Sequence, residues 1–174
     1  MRIVAGVYGG RRIQAPPGKA TRPTSDRVRE ALFSILGDVE GLSVLDLVAG
    51  SGALGIEALS RGAAEAVFVD SDARAVQAIH QNVANLDVRA VVHRRDAFAW
   101  LKAADATFDL VFADPPYSSA RQTGARLDEL LPPLLAETSL TVTESDKRDP
   151  LELSMPLIDE RIYGDTRIAI HRGR

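Results

Sequence analysis

The chain of 174 residues reads as a doubly wound α/β fold, a mostly parallel seven-stranded sheet with helices on both faces and a closing C-terminal antiparallel hairpin. Three observations predict it. Short apolar runs alternate with stretches of helical periodicity, the pattern of repeated β-α units. A glycine-rich turn, Gly50-Ser51-Gly52, follows the first of those runs directly. The last two apolar runs flank Gly164-Asp165, a two-residue hairpin signal.

Taken in order, the elements begin with a small β-ribbon, in which Ile3, Val4, Val7, Tyr8 and Ile13 interleave with Gly6, Gly9 and Gly10. Ala15-Pro16-Pro17-Gly18 then makes a turn or linker. A helix over 26–36 places Val28, Leu32, Ile35 and Leu36 at helical spacing and stops at Gly37. Strand 43–47, helix 53–61, strand 66–70, helix 72–86, strand 88–93, helix 96–103, strand 108–113 and helix 121–131 follow in alternation. Pro132 and Pro133 blur the end of the last helix. A fifth strand covers 140–143 and ends at Glu144, and strands 158–163 and 166–171 form the hairpin.

Composition narrows the chemistry. The length suits one compact domain with a substantial core. The absence of cysteine excludes a disulfide framework and a thiolate metal site, and fits a reducing compartment. His80, His93 and His171 stand singly on different elements, a poor spacing for metal ligands, so no metal is expected. No leader or spanning apolar run is read, and the expected location is the cytoplasm. The net charge of −3 hides an asymmetry: residues 1–30 hold seven basic side chains against two acidic ones, a net +5, leaving −8 on the other 144. Such an arm points to a polyanion at one end of the molecule.

Four acidic residues sit at or just beyond strand ends: Asp46, Asp70, Asp96 and Asp114. In open α/β sheets ligands gather there, near the point where strand order reverses. Gly50, Gly52 and Gly55 satisfy a dinucleotide fingerprint, so an oxidoreductase is one reading of the turn. Asp46, four residues before Gly50, carries the wrong sign for a pyrophosphate and the right sign for a methionine ammonium, which favours S-adenosylmethionine. Asp70 can accept hydrogen bonds from both ribose hydroxyls, a role open also to Asp72, which reads better as a helix N-cap. Asp96 and Ala97 are placed to meet the adenine amino group and ring.

Asp114-Pro115-Pro116-Tyr117 supplies the reaction. An exocyclic NH2 is a poor nucleophile because its lone pair is delocalised into the ring. A carboxylate taking one N–H, and a backbone carbonyl taking the other, favour the tetrahedral geometry that attack requires. The prolines make the loop rigid, and Tyr117 can stack on a flipped base. This chemistry serves guanine and adenine alike, so a DNA adenine-N6 or other amino methyltransferase shares it.

The whole chain resembles the bacterial small-subunit ribosomal RNA guanine-N2 methyltransferase family, whose members modify one guanine of 16S rRNA. The resemblance rests on the run Thr21 through Phe33, on Leu45 through Gly62 with Glu57-Ala58-Leu59-Ser60-Arg61-Gly62, and on Asp114-Pro115-Pro116-Tyr117. It implies a class I S-adenosylmethionine-dependent fold, with Asp46, Gly50, Ser51, Gly52, Asp70, Asp96 and Ala97 on the cofactor. Asp114, Pro115, Pro116 and Tyr117 would then hold the guanine amino group, and Arg11, Arg12, Arg22 and Arg27 the RNA phosphates. Residues 1–40 would be an RNA-binding extension packed on a methyltransferase domain of 41–174. The implied partner is the assembled or nearly assembled small subunit, met by a monomer. Val48 departs from the family, which usually has an aromatic residue there.

Overall fold

The computed structural model describes residues 1–17, 25–115 and 120–173. Its elements are α1 (Asp26–Leu36), β1 (Ser43–Leu47), α2 (Ala53–Ser60), β2 (Glu65–Asp70), α3 (Ala73–Leu86), β3 (Val91–Arg94), α4 (Ala97–Leu101), β4 (Phe108–Ala113), α5 (Ala120–Leu130), a 3-10 turn (Pro132–Leu134), β5 (Leu135–Asp146), β6 (Leu157–Tyr163) and β7 (Thr166–Arg172). The sheet runs β3-β2-β1-β4-β5-β7-β6. The first five strands are mutually parallel, and β7 is antiparallel to both neighbours. Strand order therefore reverses between β1 and β4, which places the ligand crevice at their carboxyl ends.

Strand alternation divides the core into two layers. Val44, Phe68, Leu110, Phe112 and Val142 face a cluster that includes Leu32 and Phe33 of α1, Ile56 of α2 and Ile79 of α3. Leu45, Leu47, Val69, Val111 and Ala113 face the other cluster, with Trp100 and Leu101 of α4 and Leu127 of α5. Asp46, Asp70, Asp114 and Glu144 continue the even-numbered series and so belong to the α1–α3 side.

Several element bounds differ from the sequence reading, three of them for a clear local reason. β3 starts at Val91 rather than 88 because Asp87, left-handed at φ 55°, and Val88 still bond back to α3 through Ala84 O and Val83 O. β5 runs to Asp146 because β7 pairs with it from Leu140 through Asp146, so polar residues that look like a strand end are held by a partner. The expected N-terminal ribbon shrinks to one antiparallel bridge, Arg2 to Arg12, flanked by Ile3 N–H to Arg11 O and Gly10 N–H to Ile3 O, each 2.9 Å.

Four more of the arm's backbone donors go sideways to α2, and Gln14 N–H goes to Asn82 Oδ1 of α3 at 2.7 Å. Val4 and Ala5 N–H donate to the Glu57 carboxylate at 2.7 and 3.0 Å, Val7 N–H to Ser60 O at 2.7 Å, and Tyr8 N–H to Ser60 Oγ at 3.0 Å. Gly6 makes this approach feasible: at φ 82°, an added Cβ would lie 1.8 Å from Ser60 O. Ile3 and Ile13 are buried in the α1–α3 cluster, each worth about 1.5–3 kcal/mol by area removed from water. The arm is a folded part of the core.

Candidate active site

The acidic row predicted from sequence is present, and its members differ in how they are held. Asp70 closes β2 and accepts Gly50 N–H and Asp72 N–H, both at 2.8 Å, one on each carboxylate oxygen. It thereby fixes the glycine turn that it faces. Asp96 caps α4 by accepting Ala99 N–H at 2.9 Å, and Asp72 caps α3 and pairs with Arg74, which bears out the N-cap reading of Asp72. Asp46 is buried within β1 and accepts Gly55 N–H at 2.9 Å. Burial pushes its carboxyl up to about 7, against the Gly55 bond and helped by the nearby Asp70 charge.

Asp114 stands one residue beyond β4. The residue is half-buried, but its carboxyl is withdrawn from water, and this is the largest influence raising it well above the ordinary carboxylate range. Like charges on Glu144 and then Asp46 raise it further. A base so perturbed accepts protons more readily than an ordinary aspartate near neutral pH.

The turn between β1 and α2 is the cradle. Gly50 and Gly52 sit at φ 57° and 74°, and Gly52 N–H donates to Ala49 O at 2.7 Å. A Cβ on Gly55 would lie 2.4 Å from Phe68 Cε1, so this glycine lets α2 approach β2 and brings its N–H to Asp46. Val48 is left-handed at φ 57°, a conformation that costs a β-branched residue about 1–3 kcal/mol. Beside the turn lies a cavity of about 240 Å³, whose walls include Val48, Asp70, Asp96, Ala97, Phe98 and Pro115. Its apolar surfaces suit a flat ring, and its two carboxylates suit hydroxyl and amino donors.

The structure brings Asp70, Asp96, Ala97 and Pro115 to this one cavity, and sets Asp46 and Asp114 within electrostatic reach of each other beside it. Ser51 is oriented elsewhere: its hydroxyl meets Met1 Sδ at 3.5 Å and its carbonyl accepts Asn82 Nδ2–H at 3.0 Å. Pro116, Tyr117 and Arg22 lie outside the described residues. Arg11, Arg12 and Arg27 are exposed. Arg11 reaches Asn85 O at the C-terminal end of α3 and overlies Tyr8, whereas Arg27 is on the first turn of α1.

The count of arm charges needs one correction. Arg29 is 1% exposed, donating to Asp26 at 2.8 Å and to Arg2 O, and Arg2 also pairs with Asp26. The buried Arg29 charge ties the arm to α1 rather than facing outward, while Arg2 is paired at the surface. Sequence reasoning also gave no role to Glu57, Ser60 or Asn82, the side chains that dock the arm. The signal was there: a glutamate in the otherwise apolar helix Ala53–Ser60 requires a partner.

The family model described as conserved hypothetical protein 95 matches residues 1–172. The chain belongs to this family. A relative from Bacillus subtilis, named "Putative rRNA methyltransferase YlbH", is 37% identical over the full length of both chains. The Escherichia coli K12 protein named "Ribosomal RNA small subunit methyltransferase D" is 41% identical over 67% of this chain and 60% of its own length. Among solved structures, an Escherichia coli chain titled "Putative methyltransferase yhhF" superposes with a TM-score of 0.87 at 34% identity, covering 100% of this chain and 98% of its own.

Family and fold together make this chain a class I methyltransferase, and S-adenosylmethionine is the cofactor of that class. The residues present fit it. A left-handed turn lets backbone approach the ligand, acceptors line a partly apolar cavity, and a buried Asp46 is ionised more readily beside a cation.

Proposed function

We propose that this methyltransferase acts on the exocyclic N2 of a guanine in 16S rRNA. The observation that carries the reading is Asp114: a perturbed carboxyl at the end of β4, beside the glycine cradle and continuous through Pro115 with the cavity. The names of the relatives supply the substrate class, small-subunit ribosomal RNA. The sequence of Asp114-Pro115-Pro116-Tyr117 supplies the amino group as acceptor.

In this reading Asp70 holds the ribose, Asp96 and Ala97 the adenine, and Asp46 with Gly50, Gly52 and the backbone N–H of Ser51 the methionine end, the Ser51 hydroxyl and carbonyl being engaged by Met1 and Asn82. Each oxygen of Asp70 already receives one backbone N–H and keeps a second lone pair for a hydroxyl. Bound S-adenosylmethionine provides an electrophilic methyl on a sulfonium. Asp114 accepts an amino N–H and stabilises positive charge as it develops on nitrogen, which attacks in line without a covalent enzyme intermediate. Pro115 and Pro116 stiffen the loop, and Tyr117 stacks on the base.

Residues 1–40 form the RNA-binding extension of a catalytic domain spanning 41–174, with Arg11, Arg12, Arg22 and Arg27 on phosphates. The protein works as a cytoplasmic monomer on the assembled or nearly assembled small subunit, which presents the base. Among the described residues, no helix is long and apolar enough to cross a membrane.

The test is transfer of labelled methyl to small subunits that lack native methylation, with bare 16S rRNA and DNA alongside, followed by nucleoside analysis. N2-methylguanosine at one site on the subunit is the expected product. Label confined to DNA or to N6-methyladenosine overturns the substrate while keeping the cofactor.

A further inference from the structure

One wall of the cavity beside the glycine turn is a helix too short to hold its own place. α4 has five residues, fewer than an isolated helix needs to be stable, so its position is set by what its side chains meet. Its C-terminal half is anchored: Trp100 and Leu101 are buried, and the Trp100 ring lies 5.6 Å from that of His93 and 6.2 Å from that of Phe108. Its N-terminal half carries Ala97 and Phe98, which line the cavity together with Asp96. Asp96 caps that end through Ala99 N–H, and Phe98 is half-buried.

What lies over Phe98 is a charge. The guanidinium carbon of Arg126, on α5, stands 3.6 Å from the centre of the Phe98 ring, a close cation–π contact. The turn of α5 that holds Arg126 also supplies Thr123 and Leu127, two further walls of the same cavity. The acidic neighbours of Arg126 on α5 are Asp128, whose carboxylate accepts Ser154 N–H at 2.8 and 2.9 Å, and the exposed Glu129. Among the described residues, neither takes Arg126 as a salt-bridge partner, and the ring is what the guanidinium meets. A planar guanidinium can lie flat on an aromatic face and keep its N–H groups in water, a geometry that an ammonium does not match.

We propose that Arg126 is a positioning residue for the adenine end of the cofactor. By stacking on Phe98 it fixes the first turn of α4, and with that turn the Asp96 carboxylate and the Ala97 and Phe98 surfaces that receive the base. This rests on the placement of adenine at Asp96 and Ala97 given above, and is independent of the RNA substrate. Arg126 touches no reacting atom, so it governs affinity and base preference for the donor rather than the transfer step. Without the cation, Phe98 is freed to take other rotamers and the start of α4 to shift. The carboxylate then no longer meets the adenine amino group in fixed register, and a base that lacks the amino group is discriminated against less.

Calorimetry on the full chain reads both properties, with S-adenosylhomocysteine and with S-inosylhomocysteine, which presents a carbonyl oxygen where adenine has its amino group. Wild type is expected to prefer adenine by at least about fivefold, because Asp96 would otherwise face an acceptor. Arg126→Met keeps the aliphatic stem and loses the cation. It should weaken S-adenosylhomocysteine about three- to tenfold and narrow the base preference, and Arg126→Lys should recover part of both. Phe98→Leu should act likewise, and the double variant should be little worse than the worse single one, since the two side chains act as a unit. Additive losses in the double variant overturn the role, as does a lower melting temperature in Arg126→Met with affinity and preference unchanged. Asp96→Asn keeps the helix cap and tests the adenine placement separately. A preference unchanged in Asp96→Asn overturns the placement and the inference with it, whereas a preference altered there but intact in Arg126→Met overturns the role of Arg126 alone. No arm reads methyl transfer to the subunit, so failure of the proposed RNA substrate leaves these outcomes decisive.

Discussion

The two halves of the acidic row are built on opposite principles. At one end, Asp70 and Asp96 are satisfied by backbone N–H groups of Gly50, Asp72 and Ala99, donors that fix the side chain before any ligand arrives. At the other, Asp114 is governed by withdrawal from water and by like charges, which disfavour the ionised form. The first half suits holding and the second suits reacting. A carboxyl pressed by its neighbours is primed to take a proton from an amino group.

The widest separation between the halves is expected at Asp114. Asp114→Asn keeps the shape and removes the acceptor of a proton, so turnover should fall about 10²- to 10⁴-fold, the usual size of a general-base contribution. Calorimetry should find S-adenosylmethionine affinity within a few-fold of wild type. Loss of cofactor binding on the same scale as turnover would break the division. Asp70→Ala should do the reverse. It removes the acceptor of the part-buried Gly50 and Asp72 amides, and should show as a lower melting temperature with at least about tenfold weaker cofactor binding. An Asp70→Ala protein with normal affinity and melting would show that the turn holds itself.

Gly55 joins the two halves, since its N–H meets Asp46 while its missing side chain makes room for Phe68. Gly55→Ala puts a carbon 2.4 Å from the Phe68 ring, and overpacking of this kind costs about 1–3 kcal/mol. Denaturant unfolding should report that loss. An unchanged midpoint would mean that Phe68 yields freely.

Most of the sheet was legible because each strand ends in a change of character: apolar run to glycine at Gly50, apolar run to aspartate at Asp70, and apolar run to proline after Asp114. The end of β5 was not, since Glu144-Ser145-Asp146 looks like a loop until β7 pairs with it. That mistake hid Glu144 from the site. The arm was half legible. Its apolar residues implied packing, but the ribbon expectation assumed that its backbone bonds to itself, whereas Glu57 and Ser60 take those donors from 50 or more positions away. Asn82 was equally hidden, because joining Gln14 to Ser51 requires three segments to meet. Residue type alone overstated the positive arm, as Arg29 illustrates.

The smallest expected effect lies where the halves meet, at Asp46, and it sharpens the comparison through pH. Its folded carboxyl titrates at about 7, above the ordinary 3.8, so the folded protein binds a proton more tightly than the unfolded chain does. The stability this group contributes is therefore full below about pH 4 and is lost as pH rises toward 7, opposite in sign to a carboxylate held by amides. A bound cationic methionine end requires the ionised form, and binding should tighten about tenfold between pH 6 and pH 8 with net release of a proton. Calorimetry in buffers of different ionisation enthalpy measures that release. Asp46→Asn should weaken binding and flatten its pH dependence; a flat profile in wild type would place Asp46 with the amide-held half of the row, serving only to seat Gly55.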